Sequence, residues 1–300
     1  MQNTTSTKTI GIIGTGAVGT ALAVLFHNAG YSISGVAGRN RERSAKLAQQ
    51  LNLPNDDVSN DAIVSGSDVI FFCLPDDALS GEINRCAQAG LSFNGKLFFH
   101  TSGALSSDLF EPVREKGASA ASFHPLQTIP RTSTAVSLKD FAVALEGDQP
   151  AVDYAFDMVQ KIGAKPMLIQ SEQKNIYHAT ATLASNGLVG LSGVVEEMID
   201  AVGLGEEGRE YFYKLMSQSL DNSRSMTAPE AITGPAARGD VATLKQHLNS
   251  LRQQSPHIVP IYVVIGSHCV SLAIQSGKIS QERGEAILDV FSNELQSLTM

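Results

Sequence analysis

Cysteine is scarce: the 300 residues hold only three, Cys73, Cys86 and Cys269. They form no metal-ligand spacing and leave an odd thiol, so a reduced, cytosolic protein without a bound metal is expected. An excess of basic residues is also missing. The formal net charge is −8, which argues against a general binder of nucleic acid or anionic membranes. A small anionic ligand in a locally basic pocket is still compatible with that balance. The N-terminal stretch MQNTTSTKT is polar and lacks the apolar run of a secretory leader. No segment is expected to provide the ~20 apolar residues of a membrane span. Flexible linkers and internal repeats are absent too. What is present is apolar: 43% of the side chains, enough to fill one large core or two moderate ones.

The chain has two grammars. Between residue 8 and about 168, short β-type runs alternate with helix-length segments: KTIGII, YSISGVA, DVIFFCL, GKLFFHT, GASAASFH, FAVALEG and KPMLIQ. Several are continuously apolar, as strands buried on both faces are, and the alternation predicts a parallel sheet with crossover helices. Beyond Ser171 only helical periodicity follows, beginning with some thirty residues from SEQKNIYHATATLASN to MIDAVG. The expected architecture is an α/β Rossmann-type domain over 1–168, then an all-helical domain over 169–300, packed tightly against it.

The stretch IGIIGTGAVGTALA (10–23) places Gly14, Gly16 and Gly19 between a strand and a helix. In a dinucleotide fold the first glycine makes the tight turn, the second admits the pyrophosphate, and the third lets the helix pack on the strand. Gly14, Thr15, Gly16, Ala17, Val18 and Gly19 are therefore the expected phosphate cradle, and the strand-end residues Leu74 and Pro75 are its neighbours. About twenty residues on, an NAD site would carry Asp or Glu for the ribose hydroxyls. Here the chain reads Gly38-Arg39-Asn40-Arg41. Two guanidiniums and no acid favour a 2′-phosphate, hence NADP; alternatively the arginines decorate a solvated helix start.

Three later strands end in unusual polar sequence: CLPDDAL (73–79), HTSGALSS (100–107) and FHPLQT (123–128). Ligands of open α/β sheets lie beyond the carboxyl ends of the strands, which makes His100, Ser102, Gly103 and His124 candidates. On the following helix Lys174, His178, Thr182 and Asn186 are spaced by four, near one face. Such a polar stripe either satisfies itself or faces a ligand. The segment AITGPAARGD (231–240) offers Arg238, which could grip a carboxylate or pair with a helix C-terminus. Asp240 reads as a cap of the next helix.

These residues together resemble the 6-phosphogluconate-dehydrogenase-like superfamily, in which a Rossmann domain precedes a helical one. More closely, HTSGAL, FHPLQT, KNIYHATATLASN and TGPAARGD are similar to a bacterial family that pairs a Rossmann-like domain with a helical domain of unknown function. An alternative type of ketopantoate reductase belongs to that family. The resemblance implies an NADPH-dependent reductase of a small 2-oxo acid, with ketopantoate as the specific substrate. His178 or Lys174 would be the proton donor, Asn186 and Ser102 would orient the substrate, and Arg238 would hold its carboxylate. His124-Pro125 resembles the His-Pro pair of prephenate dehydrogenases, where that His addresses the substrate oxygen. The Lys-x-x-x-Asn of hydroxy-acid dehydrogenases is replaced by Lys174-x-x-x-His178, with Asn186 two turns on. Imine reduction and a non-catalytic NADP sensor are the rival readings. A homodimer through the helical domain is expected from its glycine-lined helix and the apolar run 258–274.

Overall fold

A computed structural model describes residues 8–54, 58–129 and 137–299. Residues 1–7 of the polar N-terminal stretch lie outside the described residues. All seven β-type runs form strands: β1 (Ile10–Ile13), β2 (Ile33–Ala37), β3 (Val69–Phe72), β4 (Leu97–His100), β5 (Ser119–Pro125), β6 (Ala142–Gly147) and β7 (Lys165–Leu168). They make one sheet in the order β2-β1-β3-β4-β5-β6-β7. Every residue of β1, β3 and β4 is buried. Alternate side chains feed two cores, as a pleated strand covered on both faces requires. Phe71, Phe99 and Phe123 pack with Phe26 on one face, while Phe72 and Phe98 pack with Phe110 on the other.

One pairing departs from the parallel expectation and turns the last two strands against the other five. β6 runs antiparallel to β5, with Pro125 opposite Val143 and Ala121 opposite Gly147, before β7 pairs parallel to β6. A parallel return would need a crossover of a dozen or more residues, usually a helix. The sequence between β5 and β6 offers no helical periodicity, and β6 begins beside the end of β5.

Helices α1 (Ala17–Asn28), α2 (Arg41–Gln50), α3 (Asn60–Gly66), α4 (Asp76–Gln88), α5 (Glu111–Arg114) and α6 (Gln149–Lys161) accompany the strands. After β7 come a 3₁₀ turn at Ser171–Gln173, α7 (Lys174–Thr182) and a π-helical segment, Leu183–Gly187. The strand grammar ends at Leu168, but the first compact unit extends over residues 1–185 and the second over 186–300. The added residues belong to the first unit because the start of α7 bonds directly to β5, through Lys174 and Tyr177.

The second unit is helical: α8 (Leu188–Ala201), α9 (Gly205–Ser225), α10 (Ala228–Ala231), α11 (Gly234–Ala237), α12 (Val241–Gln254), α13 (Val259–Gln275) and α14 (Gln281–Thr299). Asp240 caps α12 as expected, accepting from the Thr243 amide at 3.1 Å. Its core gathers Leu244, Leu248, Val263, Val270, Ile287 and Phe291. A Cβ on Gly266 would meet the Phe291 ring at 2.9 Å, so glycine sets the close approach of α13 and α14 there. The apolar run of α13 is not enclosed on all sides. Val259, Val263, Val270 and Ala273 are buried, whereas Val264 is 62% exposed. The segment Pro256–Gln275, with mean hydropathy 1.8, is also long and apolar enough to cross a membrane. This corrects the expectation that no such run exists; five of its residues, Ile258 among them, lie in the helical core.

Candidate active site

The first βα turn assigns a separate task to each glycine. Gly14 has φ +108°, and a Cβ there would run into the Cys73 carbonyl and touch Leu74 at 3.1 Å. Gly19 packs so close that a Cβ would overlap the Gly14 carbonyl. Gly16 is different: a Cβ would meet nothing within 4 Å. No intramolecular packing calls for glycine at Gly16, so the bare backbone there is free to take a ligand from outside. Gly16 is the N-cap of α1 and makes no side-chain cap bond, and the first turn of α1 carries no acid. In contrast, α4 has Asp76 and Asp77 in its first turn, after the N-cap Pro75. Of these two helix starts, the dipole of α1 is the one left for an anion. Ala17 and Val18, half-buried in that turn, add their amides. Thr15 is buried, and its hydroxyl meets that of Ser44 at 3.0 Å, tying the turn to α2.

Beside the end of β2 lies a cleft of about 460 Å³, lined by Gly38, Arg39, Arg41, Ser44, Ser59 and Asn60 among others. No carboxylate lines it among the described residues. Arg39 and Arg41 are both exposed there. Asn40, which lies between the two arginines and is by its position a candidate cofactor contact, caps α2: its Oδ1 accepts the Arg43 amide at 2.9 Å.

The ends of β4 and β5 follow along the same sheet edge. His100, at the end of β4, is fully buried. Its Nδ1 accepts the Ser102 amide at 3.2 Å, which leaves Nε2 to donate to the Ser106 carbonyl at 3.3 Å. Burial first, then the Lys174 charge, holds its pKa down at about 3. Both nitrogens are used, so His100 is a structural histidine and not a substrate contact. Ser102 is likewise buried, its Oγ accepting the Ala104 and Leu105 amides at 3.2 and 3.0 Å. It shapes the loop rather than presenting its hydroxyl.

Lys174 is corrected as well. Its side chain is buried, and Nζ donates to Ser122 Oγ at 2.5 Å and to the Ser102 carbonyl at 3.3 Å, with Glu146 at 3.9 Å. Burial lowers its pKa against the opposing pull of Glu146. An ammonium enclosed in this way anchors α7 to the sheet; it is not poised at an open site. Ser122 and Glu146 sit opposite each other on β5 and β6. Glu146 also accepts the Ser107 amide at 3.0 Å and the Ser107 hydroxyl at 2.7 Å. Neither residue was singled out in advance, although an acid inside the apolar run FAVALEG needs a buried partner.

One turn further along α7, three rings converge. Tyr177 Oη and His124 Nδ1 are 2.7 Å apart, and the His124 and His178 rings cross at 81° with centroids 6.2 Å apart. Gly103 makes room for both histidines. A Cβ there would lie 2.8 Å from His124 Nε2 and 2.7 Å from His178 Cδ2. All three rings are half-buried. Burial, then Lys174 and His178, push the His124 pKa down to about 4, so it is neutral at pH 7. Tyr177 was missed because one tyrosine on an amphipathic helix reads as packing. The polar stripe does not stay at the sheet: each i+4 step climbs about 6 Å, and Thr182 and Asn186 are exposed. Asn186 belongs to the second unit, as does Arg238, an exposed residue that follows α11.

Residues 2–125 match the Rossmann-like domain family and residues 141–269 match the domain of unknown function DUF2520. No curated protein matches the chain. Solved structures similar to it include a candidate NADP oxidoreductase from Bacteroides fragilis, at 20% identity and TM-score 0.72, covering 88% of this chain and 98% of that one. A protein from Thermotoga maritima follows at 23% identity and TM-score 0.66, covering 89% and 98%. An imine reductase from Bacillus cereus is similar at 14% identity and TM-score 0.53, covering 97% and 94%. Sequence families and shared fold agree with the geometry: the chain is a Rossmann-like parallel-sheet domain followed by a mostly helical domain.

Proposed function

We propose that the protein is an NADP-dependent reductase of a small 2-oxo acid, with ketopantoate as the specific substrate. The observation that carries the cofactor is the glycine turn. Gly16 has open space where its side chain would be, at the acid-free start of α1, next to a cleft with two arginines and, among the described residues, no carboxylate. The amides of residues 16–18 would hold the pyrophosphate, and Arg39 with Arg41 the 2′-phosphate. The NADP named for the Bacteroides fragilis protein supports the same choice.

When bound, the reduced dinucleotide supplies a hydride to the substrate's carbonyl carbon. This chain's residues supply the proton and the field. His178 and His124 converge at the Gly103 turn; His178 as general acid would protonate the carbonyl oxygen as charge develops, while the neutral His124 donates a hydrogen bond to it. Lys174 adds positive potential from behind without making contact. After burial, the charge that most depresses His124 is the Lys174 ammonium. That environment favours an anionic 2-oxo acid and a developing oxyanion over a cationic iminium.

The second reading is imine reduction. It is favoured by the imine reductase from Bacillus cereus and a reductive aminase from Aspergillus terreus, at 15% identity, TM-score 0.57 and coverage of 97% and 95%, which share the fold. NADPH oxidation by the purified protein over a panel of 2-oxo acids and cyclic imines separates the two. The expected result is turnover of ketopantoate, with NADPH bound at least several-fold tighter than NADH and the preference abolished by Arg39→Ala. His178→Ala should lower turnover ~10²–10⁴-fold with NADPH affinity nearly intact. Turnover of imines alone selects the second reading. Tight NADPH binding with no turnover of any substrate makes the protein a sensor, and equal affinity for the two cofactors overturns the NADP assignment.

A further inference from the structure

Half-buried and neutral, His124 carries a single ring proton, so its chemistry depends on which nitrogen holds it. Nδ1 is 2.7 Å from Tyr177 Oη, with the rings edge to face at 88°. Nε2 lies on the opposite edge of the ring, at the Gly103 turn, where only the lack of a side chain leaves it room. Tyr177 Oη has no other hydrogen-bond partner among the described residues. Were Nδ1–H the donor, the phenolic proton would have no protein acceptor and Nε2 would face the turn as a bare lone pair. With Oη–H donating to Nδ1, both groups are satisfied and the imidazole proton sits on Nε2. Burial keeps the Tyr177 hydroxyl protonated, with its pKa pushed up to about 12.

We propose that Tyr177 is a positioning residue that holds His124 as its Nε2–H tautomer and aims that N–H at the Gly103 turn, as a neutral donor to a substrate carbonyl oxygen. The proposal rests on the reductase reading for its consequence in catalysis, but not for its structural content. Tyr177 touches no reacting atom; it acts through His124. Lys174, one turn earlier on α7, holds the helix at the height that brings Oη to Nδ1. A neutral donor suits this place, because a second cation beside Lys174 would be repelled.

The test is ¹⁵N NMR of the full-length protein labelled at histidine, with the His124 signals identified by their loss in His124→Gln. The wild type should show His124 as the Nε2–H form throughout pH 5.5–8 (about one unit or more above its pKa). Tyr177→Phe keeps the ring but not the hydroxyl. It should release His124 into a mixture of tautomers and lower kcat about tenfold or more, with the NADPH Kd unchanged. A wild-type His124 in the Nδ1–H form, or one whose tautomer is the same in Tyr177→Phe, overturns the proposal. If NADPH does not bind and no substrate turns over, the reductase reading fails while the tautomer spectra still decide the role of Tyr177.

Discussion

Three glycines of one motif are distinguished by what a methyl group would strike at each. Gly19 would overlap a backbone carbonyl, while Gly16 would meet nothing within 4 Å. Gly19→Ala is therefore expected to destabilise the fold by about 1–3 kcal/mol, as overpacking does. Gly16→Val should leave the thermal midpoint nearly unchanged while weakening NADPH binding tenfold or more, because its branches enter the space a pyrophosphate needs. Thermal melts and cofactor titrations of both variants provide the check. A Gly16→Val protein that binds NADPH normally would remove the phosphate cradle from this turn. The histidines divide in the same way. His100 and His124 both follow apolar runs in the sequence, but one has both nitrogens bonded inside the protein and the other keeps Nε2 at an open turn.

Among the elements, α7 carries the largest change from the sequence reading. Its first turn supplies an anchor, Lys174, and its next turn supplies Tyr177 and His178. The periodicity of four placed Lys174 and His178 on one face, but it could not say that the first would be enclosed by β5 and β6. Lys174→Met keeps most of the apolar stem and deletes the charge, leaving Glu146 buried without its cation. We expect a loss of about 3–5 kcal/mol in urea unfolding, partly recovered in Lys174→Met/Glu146→Gln. A Lys174→Met protein of wild-type stability but without turnover would return the lysine to catalysis. The antiparallel β6 was hidden for a related reason: apolar runs report burial on both faces but not strand direction.

For the whole molecule, the helical unit leaves much apolar surface uncovered: Val189 is 71% exposed, Leu215 61% and Val264 62%. A Cβ on Gly190 or Gly193 would meet nothing within 4 Å among the described residues. The glycines of α8 are therefore not explained by packing inside the helical unit. Patches of this kind mark interaction sites, and we expect a homodimer formed through this unit. Light scattering at low micromolar concentration should report twice the 31.8 kDa chain mass, and Val264→Glu should shift the population toward single chains. A wild-type protein that scatters as a single chain at that concentration would overturn the dimer.

Strand identity, the glycine turn, the basic end of β2 and the change to helices near residue 170 were all legible in the sequence. Each depends on neighbours within a few residues and on a period of two or 3.6, and local pattern carries that information directly. His124, His178 and Gly103 were legible as candidates, but which of the candidates would face an open site was not. Lys174 meets Ser122 and Glu146, and Tyr177 meets His124, across 28 to 53 residues of chain. Those contacts are set by the register of β5 against β6 and by the height at which α7 crosses the sheet. Burial then decides which polar residues spend their hydrogen bonds inside the protein, as His100, Ser102 and Lys174 do, and which keep one for a ligand.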